Sequence, residues 1–149
     1  MRAVVQRTLS SSVTVDGTTV GAAGHGLTVL LGVGRDDTET DLKYVADKII
    51  NLRIFEDDEG KMNRSLKDIG GDMLIISQFT LYADVRHGRR PGFTDAAPPD
   101  MAEQLYERFV QYVRSCGITT GTGRFQTEMV VRLENHGPVT ILVDSKKLF

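Results

Sequence analysis

Two hydroxyls, a carboxamide and an aromatic ring follow one another at Ser77-Gln78-Phe79-Thr80, directly after the apolar run Met73-Leu74-Ile75-Ile76. Such a group at a strand end can attack, orient or hydrogen-bond a polar substrate. A hydroxyl becomes a strong nucleophile only beside a base, and none is adjacent in sequence; His87 or His136 can reach Ser77 or Thr80 only through the fold. The plainer role has Thr80 satisfying its own hydroxyl at the strand end, Gln78 bonding a neighbouring loop and Phe79 packed in the core, as strand aromatics usually are. A few residues on, Arg86, His87, Arg89 and Arg90 fall within five positions of a chain whose net charge is −2. Any phosphate binding must rest on such a local patch, because the overall charge attracts neither nucleic acid nor anionic lipid. An ordinary solvated loop accounts for the same residues equally well.

Other chemistries find little support. His25, His87 and His136 sit in separate turns without HExxH spacing, and the lone Cys116 cannot form a CxxC clamp, so neither a metal nor another cofactor is expected. The chain has no GxSxG elbow, no GxGxxG fingerprint and no phosphate-binding GxxxxGK[ST]. Cys116 falls at the negative end of a helix, which disfavours a thiolate, so packing rather than nucleophilic attack is its expected role. One cysteine also excludes an internal disulfide and fits a reducing compartment, the cytoplasm by default. Gly137-Pro138 reads either as a tight turn between strands or as a cis peptide, found at about 5–6% of such bonds.

The elements that must position these residues are mostly strands. Residues 2–7 form one, and 12–21 form a hairpin in which Val13, Val15 and Val20 flank the turn Asp16-Gly17. The run Leu27–Val33 lacks alternation, as in a strand covered on both faces. Thr38 caps a helix over 39–51 whose Leu42, Val45, Ile49 and Leu52 make an apolar stripe. Leu52–Phe55 is read as a strand, 57–60 as a turn, and 61–70 carries little pattern. Met73–Phe79 is the next strand, and 82–100 is loop. Asp100 and Glu103 make an approximate capping box for a helix reaching Ser115, with Met101, Leu105, Phe109, Tyr112 and Val113 packed and Gly117 as terminator. Strands at 127–133 and 139–143 close the chain, separated by Glu134–Pro138. With 149 residues, 40% hydrophobic and 26% charged, the chain suits one globular core. No apolar run reaches a membrane span, and no signal-peptide pattern comes after Met1. The expected architecture is α/β: a single domain, 1–149, with a helix-backed antiparallel or mixed β-sheet curled toward a barrel.

Three segments together resemble the D-aminoacyl-tRNA deacylase family: Ser77-Gln78-Phe79-Thr80-Leu81-Tyr82-Ala83-Asp84, Gly88-Arg89-Arg90-Pro91-Gly92-Phe93 and Asn135-His136-Gly137-Pro138-Val139-Thr140. The likeness extends to Arg2–Arg7, Asn51–Phe55 and Ala96–Pro99. It implies a homodimer that cleaves the ester between a D-amino acid and the terminal ribose of tRNA, without a cofactor. Ser77, Gln78, Phe79 and Thr80 would be the catalytic segment of one subunit, and a cis Gly137-Pro138 would enter the pocket of the other. Arg7 would brace that selector, Met129 and Phe125 would belong to the substrate wall, and Arg86, Arg89 and Arg90 would meet tRNA. Val130 and His136 depart from the glutamine and aspartate common at these places.

An aminoacyl ester is already activated, so a positioned water and amides aimed at the developing oxyanion can suffice without a triad; the resemblance implies that the ribose 2′-hydroxyl assists. A selector that rejects L side chains by clash implies breadth across D-amino acids and activity on glycine mischarged onto tRNA(Ala). Three other readings stay open: an editing hydrolase chiefly for glycine or another mischarged amino acid, a non-catalytic tRNA-binding protein, and a structural or protein-interaction domain with neither RNA affinity nor hydrolysis.

Overall fold

A computed structural model describes all residues, 1–149. The chain opens with a long strand, β1 (Arg2–Val15), which turns at Asp16 and Gly17, both with positive φ, into β2 (Thr18–Ala23). The paired left-handed residues make the tight, twisted turn that the Asp-Gly dipeptide favours. The continuous apolar run becomes β3 (Gly26–Gly32), nearly all of it buried. Helix α1 (Glu39–Ile50) starts at Thr38, where the Asp41 carboxylate accepts from the Thr38 backbone N–H at 2.8 Å and its hydroxyl at 2.9 Å. Leu42, Val45 and Ile49 are buried as the stripe requires.

Several boundaries differ from expectation. The strand read at 52–55 is only the two-residue β4 (Phe55–Glu56), paired with β5 (Met62–Arg64). A one-turn helix, α2 (Leu66–Ile69), fills the weakly patterned stretch, with the Ser65 hydroxyl accepting from the Asp68 N–H. Strand β6 (Asp72–Ser77) stops at Ser77, and residues Phe79–Tyr82 wind into a 3-10 turn. Phe79 is therefore not a core strand residue but is 54% exposed. Helix α3 (Pro99–Ser115) is entered through Pro98 without a side-chain cap, so the Asp100–Glu103 box is not formed; Pro99, which has no N–H to satisfy, occupies the first turn instead. Cys116 follows at its end, half-buried against the core, and Gly117 takes a positive φ.

The end of the chain differs most. A short β7 (Thr120–Thr122) precedes one continuous strand, β8 (Val130–Asp144), in place of two strands divided by a turn. β8 pairs antiparallel with β1, and the ladder steps from Gln6–Thr140 to Thr8–Asn135. Arg7 alone thus faces residues 136–139, which bulge from the ladder.

The main sheet is mixed. β1 pairs antiparallel with β3 over Arg2–Thr8 and with β2 over Ser11–Val15, while β8 lies along its other edge. Across α1, β3 runs parallel to β6, which in turn runs parallel to β7. β7 returns against β2, where a Cβ on Gly21 would stand 2.1 Å from the Thr122 carbonyl oxygen and one on Gly121 2.3 Å from that of Ala22. Only glycine permits this backbone-on-backbone approach, and it brings the sheet close to a barrel. The expected α/β, curled, helix-backed sheet is the one found.

α1 and α3 cover one face, giving a core that includes Leu27, Val29, Leu42, Met73, Ile75 and Phe109. On the other face Leu74 and Ile76 pack with Val13 and Ala23. β6 is thus buried on both sides up to the point where its sequence turns polar, so its end is a rigid mount for the 3-10 turn.

Candidate active site

At the ends of the parallel strands β3 and β6, a cavity of about 530 Å³ opens between the sheet and the start of α3. A crevice beyond the carboxyl ends of parallel strands is where α/β sheets usually take ligands. Ser77, Gln78, Phe79, Phe125 and Met129 all line it, so two segments far apart in sequence meet as expected. The walls are largely apolar, with Ile76, Val131, Ala97 and Ala102 adding to them. Pro99 and Ala102 bring the first turn of α3, the positive end of a 17-residue helix, to the same wall.

Thr80, exposed, follows the lining residue Phe79 without lining the cavity itself. Its hydroxyl oxygen accepts from the Gln78 side-chain amide, which positions both polar groups together. The first amides of a 3-10 turn have no acceptor within it. Accordingly Leu81 N–H reaches the Gln78 carbonyl at 3.3 Å and Ala83 N–H that of Thr80 at 3.0 Å, while neither the Phe79 nor the Thr80 N–H donates to a carbonyl outside the turn. These two amides are available to a bound oxyanion. No imidazole lies against Ser77 or Thr80 among the cavity-lining residues, so neither hydroxyl has the base that nucleophilic activation requires.

Behind the cavity, Tyr106 donates its hydroxyl to the Ile75 carbonyl at 2.8 Å and lies 6.3 Å from the Phe125 ring. Burial pushes this phenol up to about 12, so it stays neutral and keeps donating. The Phe79 ring meets Phe93 edge-on at 5.0 Å. Sequence reasoning missed Phe93, although its place just after the basic loop was visible.

That loop spans Asp84–Gly92, closed by paired backbone bonds between those two residues. Arg86 is not a free cation: its guanidinium grips Asp84 at 2.9 and 2.8 Å. With the Arg86 side chain and backbone amide against it, the Asp84 carboxyl falls to about 2. Arg89 and Arg90 are exposed, with no carboxylate within 4.0 Å, and are left to meet an anion.

Gly137 and Pro138 do not line this cavity; they stand exposed on the β8 bulge, joined by a cis peptide. Buried Arg7 holds the bulge from below, donating Nε to the His136 carbonyl at 3.1 Å and Nη1 to the Ile54 carbonyl at 2.7 Å. Gly137 has φ +125°, and a Cβ there would stand 2.8 Å from Val139 Cγ2. The His136 ring lies 6.3 Å from His25, which meets Phe55 edge-on at 5.6 Å. The sequence alone placed these histidines in unrelated turns.

A nearly closed, helix-backed sheet with an apolar cavity at the ends of its parallel strands defines a small α/β protein. The family model for "D-Tyr-tRNA(Tyr) deacylase" matches residues 4–144. Proteins named D-aminoacyl-tRNA deacylase from Clostridioides difficile (strain 630) and Thermotoga petrophila are 60% and 58% identical, each over all of both chains. The chain belongs to the D-aminoacyl-tRNA deacylase family, whose members are ester hydrolases. Among solved structures, one titled "c-Myc DNA Unwinding Element Binding Protein" superposes with TM-score 0.91 at 40% identity, covering 97% of this chain and 98% of that one. A probable eukaryotic D-amino acid tRNA deacylase, 23% identical with TM-score 0.81 over 96% and 98% of the two chains, shares the fold.

Proposed function

We propose that the protein hydrolyses the ester of D-aminoacyl-tRNA, releasing the free D-amino acid and tRNA, with the Phe79 and Thr80 amides receiving the carbonyl oxygen as it gains charge. The carrying observation is that these two N–H groups have no acceptor outside their turn and belong to Phe79, which lines an apolar cavity, and to the residue after it. Ser77, Gln78 and Thr80 orient the substrate or the attacking water, and Thr80 forms no acyl-enzyme. Met129 and Phe125 contact the amino-acid side chain. Ester cleavage needs no strong base here, because the leaving ribose is good and its own 2′-hydroxyl can share the proton; no side chain beyond those named has to move one.

Stereochemical choice rests on the bulge. Gly137 and Pro138 are exposed, are braced by Arg7 and lie outside their own cavity. In a homodimer they enter the partner's cavity and present carbonyls that clash with an L side chain. Exclusion by clash leaves glycine acceptable, so glycyl-tRNA, including glycine mischarged onto tRNA(Ala), is a further substrate. Arg89 and Arg90 hold tRNA phosphates. Cytoplasmic residence suits a tRNA substrate and a single cysteine; no helix is long and apolar enough to cross a membrane.

Initial rates on D-Tyr-tRNA, L-Tyr-tRNA and glycyl-tRNA test the reading. Rapid D-Tyr-tRNA and measurable glycyl-tRNA cleavage with L-Tyr-tRNA spared is expected. Salt-sensitive tRNA binding without turnover would instead make it a binding protein. Full activity of an isolated monomer in sedimentation-controlled assays would remove the cross-subunit selector.

A further inference from the structure

The 3-10 turn carrying Phe79 and Thr80 is one turn long, and such a turn does not hold its shape unaided. Its far end is fixed by residues that no part of the site reading uses. Arg2, on β1, donates Nη1 to the Leu81 carbonyl at 3.1 Å, and its guanidinium lies over the Tyr82 ring, 4.5 Å from the centroid. The guanidinium is itself held, because Nε donates to Asp144 Oδ2 at 2.9 Å and Asp144 is 4% exposed. From the opposite side the Tyr82 hydroxyl points at Asp37 Oδ2, 3.4 Å away. Asp37 is buried and fixed by the Met1 ammonium at 2.5 Å and by the Gly34 N–H at 2.7 Å. Beneath the turn, Gly32 and Gly34 leave only the room it fills, since a Cβ at Gly34 would lie 2.7 Å from the Tyr82 hydroxyl.

We propose that Arg2 is a positioning residue for the deacylation site, clamping the 79–82 turn through the Leu81 carbonyl and the Tyr82 ring so that the Phe79 and Thr80 amides keep their aim. The proposal rests on the reading of those amides as oxyanion donors. An arginine suits the task for a stated reason. Its planar fork makes one bond to Asp144 and another to Leu81 while its face covers the tyrosine, and a lysine, with a single point of charge, cannot do all three. Tyr82 is kept neutral by burial and by the nearby Asp37 carboxylate, which push its pKa up, so it remains a hydroxyl donor over the working pH range. Small displacements suffice to matter, because misplacing a reacting geometry by about 1 Å can cost on the order of a hundredfold in rate.

The test compares wild type with Arg2→Met, which keeps the aliphatic stem, and with Arg2→Lys, in single-turnover and steady-state deacylation of D-Tyr-tRNA. Backbone amide NMR is recorded on the same proteins. Arg2→Met should lower kcat about tenfold with KM changed less than about twofold, Arg2→Lys should fall between it and wild type, and the Phe79, Thr80 and Leu81 amide signals should move most. A folded Arg2→Met with kcat within about twofold of wild type would overturn the proposal. So would signals that move evenly across the sheet while those of Phe79 and Thr80 stay in place. If Arg2→Met fails to fold, Arg2→Lys decides alone by the same two readouts. If wild type shows no D-Tyr-tRNA turnover, the oxyanion reading fails, while the NMR comparison still settles whether Arg2 sets the turn.

Discussion

Thr80 is the residue whose role separates a positional site from a nucleophilic one. Its hydroxyl touches the Gln78 amide and no base, while its backbone N–H is among the unclaimed donors. Thr80→Val removes the hydroxyl and keeps the N–H. Deacylation of D-Tyr-tRNA should therefore drop by no more than about tenfold, against a loss on the order of a millionfold when a true hydroxyl nucleophile is deleted; rapid-quench trapping should find no acyl-Thr80. Asp41 offers a second residue-level test, of stability. Burial alone would raise its carboxyl, but the Lys146 ammonium at 2.6 Å, with Ser145 and the Thr38 amide and hydroxyl, outweighs this and holds it far below the usual carboxylate range. A lowered folded value means that its stabilisation is fully present above the unfolded value near 4 and is lost as pH falls below that. The paired Lys146 is raised, so its share is present below about 10.5 and lost above it. Denaturant midpoints of wild type and Asp41→Asn should therefore differ most between roughly pH 4 and 10 and draw steadily closer as pH falls below about 4 toward the folded value. An equal difference at pH 2 would show that the effect is not electrostatic.

At the scale of elements, the glycine just past β3 ties the sheet to the site. Gly34→Ala puts a methyl group within 3 Å of the Tyr82 ring and hydroxyl, so the ring must leave its place between Asp37 and Arg2 and take the 79–82 turn with it. We expect a fall in kcat of about tenfold or more with a milder loss of thermal stability, read by steady-state kinetics beside calorimetry; unchanged kcat would show that the turn tolerates movement of Tyr82. Some of this arrangement was legible in the sequence. The Asp16-Gly17 hairpin, the doubly covered β3 and the stripe on α1 each follow from local chemistry and periodicity. The end of β6 was legible only as a change from apolar to polar, which cannot tell a strand that continues from one that winds into a 3-10 turn, so Phe79 was placed in the core. β8 departs from the expected pair of strands for a related reason. Gly-Pro usually marks a turn, and nothing local reveals that Arg7, some 130 residues away in sequence, pairs across a bulge and keeps the strand going. Separation in sequence likewise hid the approach of His25 to His136, because contacts made by the ladder are absent from any window of neighbouring residues; Phe125 and Met129 were joined to Ser77 only by the family resemblance.

For the whole molecule, the difficulty is that a chain of net charge −2 must hold a polyanion. General attraction is absent, so the proposed tRNA contact depends on cations left free near the cavity, and those of the basic loop are unequally available. Arg86 is already committed to Asp84 through two hydrogen bonds, whereas Arg89 and Arg90 have no such partner. The loop ends at Gly92, next to Phe93 in the cavity wall, so a phosphate held there lies beside the site rather than at a remote face. Each arginine that neutralises a phosphate releases condensed counterions, which contributes a little under one unit to the slope of log K against log salt. Arg89→Ala and Arg90→Ala should each weaken tRNA binding and reduce that slope by about one unit, with the loss similar across tRNA sequences because phosphates carry no sequence information. Arg86→Ala should change the slope by much less, since removing it also frees the Asp84 carboxylate whose charge it had balanced. Fluorescence titrations of deacylated tRNA between about 50 and 200 mM salt, the range over which phosphate contacts weaken most visibly, measure all three. Equal slopes for the three variants would mean that Arg86 leaves Asp84 for the phosphate on binding; no change in any of them would place the tRNA contact elsewhere on the molecule.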